Sequence, residues 1–289
     1  WLAQQVDALL EDPGCRFVVI TGDAGVGKTA FMAHLAKNHP GWPRYFIRRN
    51  SHELLRPGDA NTFLLTAGGQ LATIHRELFR PENLEVVVRQ RIDDVAGGGE
   101  AIGISIQELR ASPFHSVSVH VEQEIQRVAG KAGAVEIGRL VAEPRLLSMQ
   151  DLQYMGLIYP ARLLHQTDPQ ARLVILIDAL DELRYSPADP DILRALCELP
   201  EMPPNLRFVV SSRRETFLDR LLARGDVREL CLDMAATENW EDLRTYAGAN
   251  LPDGRLEQVL TQEKRTREGF VQDLLNKSAG NFLYLRSVL

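Results

Sequence analysis

Eight residues constrain this chain more than any others. They are Gly22-Asp23-Ala24-Gly25-Val26-Gly27-Lys28-Thr29, a G-x-x-x-x-G-K-[ST] pattern set between an apolar run and a helical one. The preceding Arg16-Phe17-Val18-Val19-Ile20-Thr21 reads as a buried strand. The following Ala30-Phe31-Met32-Ala33-His34-Leu35-Ala36 continues a helix from Lys28 and Thr29. Glycines at 22, 25 and 27 permit the tight backbone in which successive N–H groups point at one anion. The helix start adds its partial positive charge. In that context the pattern cradles the phosphates of a nucleotide, with Gly22 through Ala30 as the lining. Lys28 is expected at the β- and γ-phosphates and the Thr29 hydroxyl at a magnesium ion.

A second segment completes the expectation. Leu173-Val174-Ile175-Leu176-Ile177-Asp178 is an apolar strand ending in a carboxylate, followed by Ala179-Leu180-Asp181-Glu182. Alone, such an Asp is often a simple cap. Beside a phosphate loop, Asp178 is expected to hold the magnesium and an acid just after it to orient or deprotonate the attacking water. Glu182 is favoured as that base, with Asp181 as the alternative.

Composition fits an ordinary globular chain. The 289 residues suffice for two domains with real cores, and 25% are charged. The formal net charge of −6 gives no electrostatic reason to expect direct nucleic-acid binding. No run approaches 18 apolar residues and no leader pattern opens the chain, so neither a membrane span nor export is expected and the setting is read as cytoplasmic. Cys15, Cys197 and Cys231 lie far apart in or beside apolar segments and read as small core residues in a reducing compartment. Seven histidines show no metal-ligand spacing, and His34 reads as a packing or surface residue. Trp1-Leu2 opens the chain abruptly and Leu283 to Leu289 closes it in an apolar stretch, as if both ends were cut from a longer protein.

Helical spacing over Trp1 to Leu10 precedes the first strand, and Arg44 to Arg48 reads as a second strand. Helices are expected over Asn61 to Phe79, Leu152 to His165, Asp191 to Leu199 and Glu215 to Ala223. Strands are expected at Leu206 to Ser211 and Arg228 to Leu232. Alternating strands and helices imply an α/β fold, a parallel sheet with helices on both faces. From Thr237, read as an N-cap, only helical patterns follow. The expected division is a nucleotide-binding domain at 1–235 and a small helical domain at 236–289.

The acidic string Asp178-Ala179-Leu180-Asp181-Glu182, with Val210-Ser211-Ser212-Arg213 and Lys277-Ser278-Ala279-Gly280-Asn281-Phe282-Leu283-Tyr284, resembles the NACHT branch of the STAND ATPases. These are the switch modules of NOD-like receptors and related proteins. The resemblance covers about 1–80 and 150–289. It implies a P-loop NTPase fold, Arg213 facing the γ-phosphate, and Phe282 packed near the bound base. It also implies ATP/ADP with Mg²⁺, slow hydrolysis, sensor and effector domains on a longer chain, and self-oligomerisation on activation. That family often has proline after the arginine, where this chain has Arg214, which leaves open whether Arg213 or Arg214 points inward. Asn276-Lys277 is not followed two residues later by Asp, so the usual guanine-reading motif is absent and ATP is favoured over GTP. Two other readings stay open: an AAA+-like motor acting on a macromolecule, and a binding module whose nucleotide is structural.

Residues 84–142 do not fit the alternation. Ile102, Ile104 and Ile106, and then Val117, Val119 and Val121, alternate with small or polar residues, the period of half-buried strands. The segment also repeats. Shifted by 33, Val86, Val88, Gln90, Ile92, Val95, Ala96 and Gly97 fall on Val119, Val121, Gln123, Ile125, Val128, Ala129 and Gly130, and Ile104 falls on Ile137. Arg89 and Arg91 are replaced by Glu122 and Glu124, so neighbouring copies would set opposite charges against each other. The expectation is a β-rich insertion of two related hairpins, turning at Gly97-Gly98-Gly99 and at Gly130 with Gly133. Thr66-Ala67-Gly68-Gly69-Gln70 reads as a small-residue crossing inside a helix.

Overall fold

The computed structural model describes residues 1–47, 58–79, 88–92, 100–110, 114, 121–125, 131–141, 147–185, 188–199, 202–251, 260, 262–263 and 265–289. Five parallel strands form its main sheet: β1 (Phe17–Gly22), β2 (Arg44–Phe46), β7 (Leu173–Asp178), β8 (Leu206–Ser212) and β9 (Val227–Leu232), in the order β2-β7-β8-β1-β9. Every residue of β1, β7 and β8 is buried. Such strands are near-continuous apolar runs because a parallel sheet is covered on both faces, and the buried polar residues here are Arg207 and, at the carboxyl ends, Thr21, Asp178, Ser211 and Ser212.

The parity of the side chains shows how the cover is divided. Phe17, Val19, Ile175, Ile177, Phe208 and Val210 enter one core, with α3 (Ala60–Ile74), α4 (Met149–Gln153), α5 (Tyr159–Thr167) and α6 (Ile192–Cys197). Val18, Ile20, Val174, Leu176 and Val209 enter the opposite core, with α1 (Leu2–Glu11) and α2 (Lys28–Asn38). Phe17 and Phe208 stack on neighbouring strands with ring centroids 5.0 Å apart. Truncating either to alanine would cost about 3–5 kcal/mol.

The Asn61–Phe79 helix runs as α3 and ends in a 3₁₀ turn at Arg76–Phe79. Asp59 caps it by accepting from the Thr62 N–H at 2.7 Å. The small residues inside α3 have a partner: a Cβ on Gly68 would stand 2.5 Å from Phe114, and one on Gly156 would stand 3.0 Å from the same ring. The Leu152–His165 helix contains a π turn at Tyr154–Ile158. The helix expected over Glu215–Ala223 is broken into a 3₁₀ turn at Thr216–Leu218 and the short α7 at Asp219–Leu222.

After β9 the described secondary structure is helical: α8 (Thr237–Asn250), α9 (Arg267–Ser278) and α10 (Phe282–Val288). Leu243, Ala247, Leu274, Leu275 and Leu285 form their own core. Thr237 is the first residue of α8 rather than its cap; Ala236 holds the cap position, and its methyl group can accept no hydrogen bond.

In the strand-rich segment, β3 (Val88–Ile92) pairs with β5 (Val121–Ile125), and β4 (Glu100–Arg110) with β6 (Lys131–Val141). Both pairings are parallel. This corrects the hairpin expectation, since a hairpin would pair consecutive strands antiparallel. β3 and β5 are in register at an offset of 33, from Val88 with Val121 to Ile92 with Ile125. β4 and β6 pair at an offset of 31, so Ile104 lies opposite Val135 rather than Ile137. A slip of two preserves which face each residue occupies. Gly133 is not in a turn but within β6, paired with Ile102. The expected turn glycines Gly97-Gly98-Gly99 and Gly130, and the positions Val86, Val95, Ala96, Val117, Val119, Val128 and Ala129, lie outside the described residues.

Candidate functional site

Parallel order brings the carboxyl ends of β1, β7 and β8 to one edge of the sheet, where loops leave the strands and ligands of α/β sheets bind. Gly22 ends β1 and Lys28 starts α2. Between them Gly27, at the cap position, takes φ 103°, a left-handed conformation that turns the loop into the helix. Gly25 takes φ 87°, and a Cβ there would meet the Asn281 side chain at 2.3 Å. Lys28 Nζ donates to the Gly22 carbonyl at 2.7 Å and the Asp23 carbonyl at 2.9 Å. Burial lowers its pKa, opposed mainly by the nearby Asp181. A partly desolvated ammonium folded over this loop is suited to a phosphate oxygen.

Asp178 is 3% exposed. Burial pushes its carboxyl above the usual range, while hydrogen bonds from Ser211 and Thr29 act against that push. The Ser211 hydroxyl donates to Asp178 Oδ1 and accepts from the Ala179 N–H at 3.0 Å. The β7–β8 register sets this contact, since Ile177 lies opposite Val210 one residue earlier. Thr29 and Asp178 therefore present a hydroxyl and a strained-for-charge carboxylate together, an oxygen donor pair suited to a hard divalent cation.

Ala179 adopts φ 62°, turning the chain off the strand into a 3₁₀ helix at Leu180–Tyr185 that carries Asp181 and Glu182. The two acids part there. Asp181 is buried; its Oδ1 accepts from the Arg213 N–H at 3.2 Å, and its Oδ2 meets Arg213 Nε at 3.1 Å. Glu182 is half-buried and lines the cavity. Arg213 lines the same cavity, whereas Arg214 turns to Asp219 at 2.8 Å and Glu229 at 3.5 Å. The inward arginine is Arg213.

The far wall comes from the C-terminal helices. The Phe282 N–H donates to the Gly25 carbonyl at 2.8 Å, and Asn281 Nδ2 to the Ala24 carbonyl at 3.2 Å. Asn281 also caps α10 by accepting from the Tyr284 N–H at 3.1 Å. The Phe282 ring lies 3.5 Å from where a Cβ of Gly27 would be, and meets Tyr246 edge-on at 5.8 Å. It therefore sits over the phosphate loop. Asn239 Nδ2 holds the Gly280 carbonyl at 2.9 Å and the Met234 carbonyl at 3.1 Å, tying this corner to the end of β9. Trp1 Nε1 donates to Asp242 at 3.0 Å, bringing the first helix to the same wall.

The cleft measures about 1040 Å³ and is lined by Ala24–Ala30, Asp181, Glu182, Arg213 and the aromatic residues Trp1, Tyr246 and Phe282. That is room for a nucleoside triphosphate, with both polar groups and aromatic rings in its lining. His34, which also lines it, has Nε2 2.8 Å from Asn38 Nδ2. Among the described residues no cluster of three His, Cys, Asp or Glu side chains could hold a metal, and no helix is long and apolar enough to cross a membrane. Asn239, Tyr246 and Trp1 carried no signal as site residues in the sequence, and Asn281 stood within the Lys277–Tyr284 motif with no role assigned to it.

A family model described as an AAA ATPase domain matches residues 2–210. The match includes the phosphate loop, Asp178, Asp181 and Glu182, and ends before Arg213 and the C-terminal helices. No curated protein and no solved structure matches the chain significantly.

Proposed function

The chain belongs to the AAA ATPase domain family and is a P-loop ATPase; from that premise we propose that it works as an ATP/ADP-dependent switch of the STAND type, in which the helical region closes on the phosphate loop. The supporting observation is the pair of bonds from Asn281 and Phe282 to the carbonyls of Ala24 and Gly25. Whatever alters the loop backbone on nucleotide exchange is felt directly by α10. A two-state device needs such a contact, because a ligand shifts an equilibrium only by binding the two states differently.

ATP would supply the phosphoryl group passed to water, and a bound Mg²⁺ would supply counter-charge to its oxygens. Lys28 exchanges the Gly22 and Asp23 carbonyls for phosphate oxygens. Thr29 and Asp178 would hold the ion, with Ser211 orienting the Asp178 carboxylate. Glu182 takes the proton of the attacking water. Asp181, engaged on both oxygens, positions Arg213 for the γ-phosphate. Phe282, Tyr246 and Trp1 shelter the nucleoside end.

On this reading, ADP holds the helical region shut and ATP releases it. A sensor on a longer chain prompts exchange, and the open form self-associates to engage an effector in defence or regulatory signalling. Family membership fits a constitutive motor equally well. The two part on turnover. Denaturing the purified chain and identifying the released nucleotide should yield stoichiometric ADP from the wild type and none from Lys28→Ala. A chain that carries no nucleotide and hydrolyses added ATP rapidly is a motor.

A further inference from the structure

The strand-rich segment has a property that the nucleotide site does not use. Its two copies pair with each other, strand on equivalent strand, and the partnered positions are charge-complementary. Arg89 and Arg91 of β3 lie opposite Glu122 and Glu124 of β5. Glu100 and Glu108 of β4 lie opposite Lys131 and Arg139 of β6. Four partnered positions join opposite charges and none joins like charges. The sign also reverses between the strands: the first copy is basic at these positions on β3 and acidic on β4, and the second copy is the inverse.

Each of these sheets has only two strands among the described residues. Among the described residues, then, β3 and β4 are paired on the second-copy side alone, and β5 and β6 on the first-copy side alone. A parallel strand edge is a template for another strand. The sequence best matched to the β5 and β6 edges is the first copy, which they already pair with in the same chain. The sequence best matched to the β3 and β4 edges is the second copy.

We propose that β3–β6 is a head-to-tail interface between copies of this chain, with β5 and β6 of one chain docking on β3 and β4 of the next. The contact repeats the intrachain register, so Glu122 and Glu124 partner Arg89 and Arg91 of the neighbour, and Lys131 and Arg139 partner its Glu100 and Glu108. Such an interface is heterologous: each copy uses one surface to give and another to receive. It builds a ring where the rotation closes and a filament where it does not. The proposal stands independently of the switch reading, because no nucleotide-site residue takes part.

Complementarity that serves both within and between chains permits a test by swapping. In the variant R89E/R91E/E122R/E124R every pair remains opposite in sign, within the chain and between identical copies. Between variant and wild type, the β3–β5 contact sets like charges directly opposite, which is destabilising. A second variant, E100K/K131E/E108R/R139E, swaps the β4–β6 pairs in the same way. Each is first checked for wild-type melting and ATP turnover, and either one that passes serves.

Sedimentation velocity, run with ADP and with a non-hydrolysable ATP analogue, should show wild type and variant each self-associating with rising concentration in at least one nucleotide state. Co-capture of tagged wild type with untagged variant should fall about tenfold below capture of untagged wild type. Free mixing of variant with wild type overturns the proposal. So does a wild-type chain that stays monomeric at every concentration in both nucleotide states, or a folded variant that does not associate with itself where the wild type does.

Discussion

The two walls of the nucleotide cavity are built on opposite plans. The sheet-side wall sets Lys28 and Thr29 at the start of α2, Asp178 at the end of β7 and Asp181 in the 3₁₀ turn that follows, all anchored to elements that pack into two continuous cores, with Asp178 and Asp181 almost wholly buried. The helical wall reaches the loop through α10, a seven-residue helix in which Leu285 is the buried residue and Leu283 is 62% exposed. On the proposed reading the first wall carries the chemistry. The other meets the phosphate loop through two hydrogen bonds and one aromatic ring, contacts weak enough to be exchanged. A rigid reacting surface facing a releasable cover is what a switch requires, since local opening draws on the least-packed elements.

Removing the phosphate-binding cation should affect the rigid wall most. Lys28→Ala should abolish nucleotide binding and lower ATP turnover at least ~10³-fold, with far-UV circular dichroism unchanged. Retained turnover would break the assignment of this wall to phosphate chemistry.

Asp178→Asn separates chemistry from stability within the same wall. Turnover should fall roughly 10²-fold through loss of a metal ligand, while the melting temperature should not. The sign follows from burial: the folded-state pKa of Asp178 lies above its unfolded value. Its contribution is then full below the unfolded pKa and lost as pH rises through the folded pKa. The asparagine variant escapes that loss, so its advantage in melting temperature should grow from acid to neutral pH. A destabilised variant at neutral pH would contradict the desolvation argument.

A smaller effect belongs to the cover. Asn281→Ala removes both the α10 cap, worth about 1 kcal/mol, and the bond to Ala24. Limited proteolysis within 236–289 should quicken about fivefold, with nucleotide released faster and the overall melting curve little moved. Gly25→Ala attacks the same contact from the other side, through its φ of 87° and the Asn281 clash. Should Asn281→Ala instead abolish turnover, the covering wall would be part of the chemistry.

The least effect is expected of Arg214→Ala. Its ion pairs with Asp219 and Glu229 are largely solvent-exposed, and such pairs contribute little. Turnover should match wild type, whereas Arg213→Ala should lower it. Equal losses from both would erase the distinction drawn between the two arginines.

Legibility in the sequence followed the same division. The phosphate loop could be read because its backbone demand and its chemistry sit in eight consecutive residues between a strand and a helix. Asp178 could be read as the end of an apolar strand. Its hydrogen bond with Ser211 could not, because strand order and the β7–β8 register create it. The covering wall was least legible: Trp1, Asn239, Tyr246 and Asn281 come from separate segments, and only tertiary packing gathers them. In the strand-rich segment the repeat was plain and its charge pairing readable. The parallel pairing was not, because period-two alternation says which face a residue takes and nothing about strand direction. The break in Glu215–Ala223 had no signal strong enough against its helical pattern.

Amide hydrogen exchange over Phe282–Val288 tests the central claim most directly, measured with ADP and then with a non-hydrolysable ATP analogue. The account predicts strong protection with ADP and at least about tenfold faster exchange with the analogue, as α10 leaves the carbonyls of Ala24 and Gly25. Equal protection in the two nucleotide states would contradict it.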